Sequence, residues 1–181
     1  MSRAATIVVT IVVAAFFAAI AVVAIVVSGA FNVAADAPDS ALMHMIVAYT
    51  RERAIDVRAE GIAVPPLDKP AMIAEGAAHY DAMCTGCHLA PGLRENAMRP
   101  GMNPKPPALA TLPPEGAAEQ FWIVKHGIKM TAMPAWGLTH SDADIWNIVA
   151  FLQKLPGLSL EQYRALVAKG GDKHDAMPMR R

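Results

Sequence analysis

The chain is 181 residues long, 54% hydrophobic, and sets 16 basic side chains against 16 acidic ones. A neutral chain lacks the basic surplus that holds nucleic acid, which excludes that class of partner. Its 2 cysteines lie three positions apart, where a bond between them would close too small a loop to add much stability.

Residues 1–3 are Met1-Ser2-Arg3, and from Ala4 to Val27 there is no charge. A helix over 4–27, at about 1.5 Å per residue, is about 36 Å long and exceeds a hydrocarbon core of about 30 Å. Val33-Ala34-Ala35 resembles a signal-peptide cleavage site. The apolar region of a signal peptide is usually about 7 to 15 residues, so the length favours a retained transmembrane anchor. Arg3 flanks one side, whereas the first charges beyond the span are Asp36 and Asp39. The positive-inside rule then leaves residues 1–3 in the cytoplasm and sends the rest outward, into the periplasm of a bacterial cell. The expected location is the inner membrane, crossed once.

Residues 28–69 read as a helix followed by a linker. The helix is predicted from Asp39 or Ser40 to about Glu60, with Leu42, Met45, Ile46 and Tyr49 at helical spacing and a heavily charged later half. It reads as a membrane-proximal spacer or a packing helix. His44, isolated among apolar residues, reads as core or surface rather than as a ligand. Ile62 to Pro70 carries Pro65, Pro66 and Pro70 and is expected to be extended, ending where a domain over 70–158 begins. Ala71 to Met83 is predicted helical, with Gly76 and Tyr80 on one face where another helix can come close.

Next comes Cys84-Thr85-Gly86-Cys87-His88. Two thiols three apart and a histidine directly after them form the c-type haem attachment pattern, in which both cysteines bond to the macrocycle and the histidine ligates iron. On one helical turn the two cysteines share a face. A thioredoxin-like pair would sit near a βαβ pattern, and no strand-like alternation precedes Cys84. A zinc site would need a further ligand and usually a second cysteine pair.

Leu89 to Pro114 is rich in proline and glycine and has no sustained period, a length of loop that a bound haem would support. A helix is expected from Glu115 to His126, ended by Gly127. Another is expected from the cap Ser141, with Asp144 three positions on, through Leu155 to a stop at Pro156. Residues 159–181 read as a short helix, Ser159 to Lys169, capped through Ser159 and Gln162, followed by a disordered tail from Gly170 to Arg181. No internal repeat is present, so one haem is expected.

With these residues assembled, the region from about Pro70 to Pro156 resembles a class I cytochrome c domain, of the kind found in membrane-anchored, periplasm-facing bacterial monohaem cytochromes. The resemblance rests on Gly76 and Tyr80, the Cys84 to His88 motif, Pro91-Gly92, the run from Lys129 through Met133-Pro134 to Gly137, and the closing helix. It implies an all-α fold around one covalent haem c. It also implies iron ligated by His88 and Met133, and a hydrogen bond from His88 to the Pro91 carbonyl. Independently of the resemblance, a thioether is a soft ligand that favours ferrous iron, and Pro134 biases Met133 toward an extended backbone. Met130, Met102 and Met98 are rivals among eleven methionines, and His126 would give a bis-histidine haem. Trp122, Trp136, Trp146 and Tyr80 read as aromatic core or haem wall, and Lys129 and Arg94 as surface side chains or propionate partners.

The expected function is electron carriage rather than catalysis: with both axial positions filled by protein, the iron has no vacancy for substrate. The expected partners are redox proteins of a respiratory or photosynthetic chain, and the membrane itself. Two other readings stay open: a haem subunit fixed in a larger membrane oxidoreductase complex, and a gas-binding sensor or enzyme with an open iron site.

Overall fold

The computed structural model describes residues 2–174, and among these there is no strand. Residues up to Pro38 form one compact unit and those from Asp39 onward another.

The first unit is dominated by α1, Arg3–Ser28, 26 residues with a mean hydropathy of 3.0 over its most apolar window. Ser2 caps it, its hydroxyl accepting from the Ala5 amide at 3.2 Å, and Gly29 ends it in the left-handed region. By length and composition this helix can cross a membrane.

Among the described residues the second unit holds six α-helices: α2 (Ala41–Ala59), α3 (Pro70–Met83), α4 (Thr85–His88), α5 (Ala117–His126), α6 (Asp142–Leu152) and α7 (Leu160–His174). Its centre is α3, which packs against both α6 and α7. Glycines make both crossings possible. A Cβ on Gly76 would lie 1.8 Å from the Asn147 carbonyl oxygen of α6, and one on Gly170 would lie 1.9 Å from the Ala74 carbonyl oxygen of α3. No side chain larger than hydrogen fits between backbones that close.

Around these crossings lies the core. Tyr80, Ile145, Ile148, Val149, Phe151 and Leu155 are almost wholly buried. The Tyr80 and Phe151 rings lie 5.3 Å apart across α3 and α6, and Phe121 stacks on Trp146 at 4.1 Å across α5 and α6. The aromatic residues Tyr80 and Trp146 thus join helices, as aromatic core. From α7, the buried Tyr163 donates to the Asp81 carboxylate at 2.6 Å. Tyr163→Phe removes a hydrogen bond to a charged acceptor and should lower stability by about 1.5 kcal/mol, read as an earlier midpoint in urea denaturation.

Both expected helix caps form. Ser141 and Asp144 make a reciprocal capping box at α6, and Ser159 and Gln162 exchange backbone hydrogen bonds at the start of α7. Regular α6 stops at Leu152, and its last turn tightens so that the Lys154 amide reaches the Phe151 carbonyl before Pro156. The tail expected from Gly170 is corrected in part: α7 continues through Gly170 and Gly171 to His174, because Gly170 is a packing contact against α3. Residues 175–181 of that expected tail lie outside the described residues. The segment expected as a linker is extended, yet Ile62 and Leu67 lie against the core and Ile55 and Ala59 of α2 are buried, with α2 against α5. The compact unit therefore begins well before Pro70.

Candidate functional site

The site begins where α3 gives way to α4. Cys84 closes one helix and opens the other, and its carbonyl accepts from the amides of Cys87 at 3.1 Å and His88 at 2.8 Å. That single turn brings the two thiols and the imidazole onto one short element. Both thiols are free and half-buried. Burial, and then the neighbouring Cys87, push the Cys84 thiol up to about 12, so in the free chain it stays neutral.

The turn is braced from three sides. Tyr80 donates from α3 to the Leu89 carbonyl at 2.6 Å, and Thr85 donates to the Asp81 carbonyl at 2.8 Å. Asn96 reaches back across ten residues, donating to the Gly86 carbonyl at 2.8 Å. Leu89, directly after the histidine, is buried at φ 64° and ψ 167°. That region is almost reserved for glycine and costs a branched residue about 1–3 kcal/mol. The Tyr80 bond and the buried Leu89 side chain hold it there.

His88 Nδ1 lies 2.9 Å from the Pro107 carbonyl oxygen. A carbonyl only accepts, so Nδ1 carries the proton and Nε2 keeps its lone pair for a metal. Burial lowers the pKa of the imidazole, against the bond to Pro107 and with help from Arg99, which further favours the neutral ligand form. Pro91, the acceptor expected from the resemblance, is not the partner. It sits in the turn just after the motif, whereas the loop returns sixteen residues later with the Pro107 carbonyl facing the ring.

Arg99 shapes that return. It is 5% exposed, donating to Glu95 at 2.9 Å and to the Pro106 carbonyl at 2.7 Å, which fixes the peptide just before Pro107. Asn96 accepts from the Met98 and Arg99 amides, and Lys105 pairs with Glu95. The Lys105 bond, opposed by desolvation, holds the Glu95 carboxyl below its usual range. Arg99 Nε is buried and finds no acceptor among the described residues. Arg99→Leu should cost about 2–3 kcal/mol, since two charge-assisted bonds go at once. A denaturation midpoint unchanged from the parent would show that the loop holds its shape without it.

Met133 is presented by a second closed loop. The Ile128 amide bonds the Met133 carbonyl at 3.2 Å, and the Met133 amide bonds the Thr131 hydroxyl at 3.1 Å. Gly127, at φ 65°, sits against this loop so closely that a Cβ would lie 2.7 Å from the Met133 carbonyl oxygen. Met133 and Cys84 both lie on the one core cluster. The rivals are differently placed. Met130 is 96% exposed, Met98 is exposed with its methyl over Gly86, and Met102 is half-buried beyond the turn containing Arg99. His126 is exposed and leans on Trp122, and Arg94, Lys129 and His44 are exposed. Trp136 is half-buried, 5.4 Å from the His140 ring.

Sequence reasoning missed Asn96, Arg99 and Pro107. Only Asn96 carried a signal, as a turn-forming residue in a proline-rich loop. The assembled donors suit an iron macrocycle: two thiols and an imidazole on one turn, a soft thioether on a second loop against the same core, and a buried guanidinium nitrogen without an acceptor among the described residues.

Residues 71–152 match the family described as cytochrome c oxidase, cbb3-type, subunit III. The match runs from the start of α3 to the end of α6. Comparisons with curated proteins and with solved structures find no match.

Proposed function

We propose, for a chain whose residues 71–152 form a class I c-type cytochrome domain, that haem is attached through Cys84 and Cys87 and ligated by His88 and Met133. A domain of this class carries covalently bound haem c with its iron, and its work is electron transfer. The haem iron supplies a one-electron ferrous–ferric couple. The observation that carries the ligand assignment is His88, whose Nδ1 is committed to the Pro107 carbonyl at 2.9 Å and whose Nε2 is thereby left as the donor.

The chain's own residues do the rest. Tyr80 and Asn96 fix the turn, Arg99 fixes the loop that orients His88, and the bonds from Ile128 and Thr131, with Gly127 packed against them, hold Met133. Arg99 Nε, rather than Arg94 or Lys129, is the buried donor suited to a propionate carboxylate. With His88 and Met133 both holding the iron, no position would be open to substrate, and the haem would supply outer-sphere electron transfer between redox proteins. We assign α1 as a retained single-pass anchor in the inner membrane. Arg3 keeps the amino end in the cytoplasm and the haem domain faces the periplasm, where donor and acceptor are members of a respiratory chain.

A second reading follows from the matched family, whose description names an oxidase subunit: the domain is a fixed haem subunit of a larger membrane oxidoreductase. Mild-detergent purification separates the two, since a carrier elutes alone and a subunit brings stoichiometric companions. Carbon monoxide tests the closed iron site. The reduced protein should leave its spectrum unchanged under carbon monoxide, and a shifted Soret band would mean an open, gas-binding iron.

A further inference from the structure

In the first half of α2 lies an apolar surface that the electron-transfer site does not use. Leu42, Met43, Met45, Ile46, Val47 and Tyr49 are each 44–69% exposed. There is no aspartate, glutamate, lysine or arginine between Ala41 and Thr50. The second half differs: it carries Arg51, Glu52, Arg53, Asp56, Arg58 and Glu60, and buries Ile55 and Ala59 in a helix that packs on α5. One helix is thus a protein element at its end and an uncovered apolar rod at its start. Soluble surfaces scatter single apolar residues but do not gather six within eight positions.

We propose that Ala41–Thr50 is a second membrane contact, seated in the lipid–water interface, a proposal that rests on the reading of α1 as a transmembrane anchor. Three observations select lipid over a protein groove. The exposed apolar residues spread over about 200° of the helix circumference, a face wider than the stripe a groove covers but one that an interfacial helix can lay on lipid. The span and α2 are joined by residues 29–40 alone, a segment that reaches at most about 40 Å even fully extended. That segment also exposes Phe31 and Val33, apolar side chains that lipid would cover. Finally, the exposed Tyr49 is an amphipathic ring of the kind interfaces favour, and the exposed Arg53 just beyond it is a cation suited to anionic headgroups. Ten residues of helix are about 15 Å long, enough to lie in one leaflet's interface and too short to span.

The consequence concerns orientation. Asp39, just before α2, accepts from Asn103 at 3.2 Å, in the same loop that supplies the Pro107 carbonyl to His88. The far end of α2 is locked to α5. A helix tied to the domain at both ends and laid on lipid holds the haem domain in one attitude to the bilayer, rather than letting it swing on a tether.

The test uses the full, haem-loaded chain in vesicles of phosphatidylethanolamine and phosphatidylglycerol, with a protease site introduced within residues 30–37. Before cleavage the protein should float with the vesicles; failure to float would remove the anchor reading and this proposal with it. After cleavage the haem domain should still float, and in the Leu42→Glu/Ile46→Glu variant its bound fraction should fall about tenfold or more. Both positions are exposed, so the variant's absorption spectrum should match the parent's, and the uncleaved variant should still float. A cleaved parent domain found wholly in the supernatant would overturn the proposal while leaving the anchor intact. Equal retention of parent and variant would overturn it as well.

Discussion

Met133→Ala is expected to erase the near-infrared iron-to-sulfur charge-transfer absorption, open the reduced iron to carbon monoxide and lower the reduction potential by about 0.1 V or more. That drop is a modest part of the roughly 0.8 V that axial ligation spans. The argument begins with the loop. Gly127 lies against the Met133 and Pro134 backbone, Thr131 bonds the Met133 amide, and Met133 lies on the core while Met130, three residues away, is 96% exposed. Rescue by Met130 would require the turn to invert, because Met130 sits at φ 59° with its side chain in solvent. The control is Met130→Leu, which should leave spectrum and potential unchanged. Charge-transfer absorption that survives Met133→Ala and disappears in Met130→Leu would move the ligand to Met130.

Gly76→Ala should destabilise the protein by about 3 kcal/mol or more, as the added methyl meets the Asn147 backbone of α6 at 1.8 Å. Backbone cannot move aside as a flexible side chain can, so α3 and α6 must part. They would part across the buried Tyr80 and Phe151 rings, and Tyr80 also braces the turn that carries Cys84, Cys87 and His88. Haem loading should therefore fall along with the denaturation midpoint. Gly171→Ala is the contrast. Its Cβ would meet nothing within 4 Å, and replacing glycine within a helix should stabilise by about 0.5–1 kcal/mol. Equal midpoints for the two variants would show that the α3–α6 crossing is looser than its geometry.

What the sequence disclosed follows a physical division. Signals carried by neighbours along the chain were legible: the Cys84 to His88 spacing, the Ser141–Asp144 and Ser159–Gln162 caps, and the uncharged run that became α1. Gly76 was legible as well, because it lies one helical turn from Tyr80 on the same face. Gly170 is hidden from the sequence, since a Gly-Gly pair near a terminus reads as a break and only the approach of α3 shows it to be a contact. The resemblance points to Pro91 as the acceptor for His88 and the structure has Pro107, because a loop of twenty-odd residues without period says nothing about where it returns. Arg99 illustrates the same limit: a guanidinium in a polar loop gives no sign of burial until the carbonyl of Pro106 and the carboxylate of Glu95 close around it.

The central claim is that this polypeptide carries one haem, covalently bound at Cys84 and Cys87. The direct measurement is the mass of the denatured, purified chain together with a peptide map of the segment around Cys84. The account predicts a coloured polypeptide heavier by one haem, with both thiols consumed as thioethers. A colourless chain with both thiols free to alkylation, or a mass showing zinc instead of haem, would contradict it.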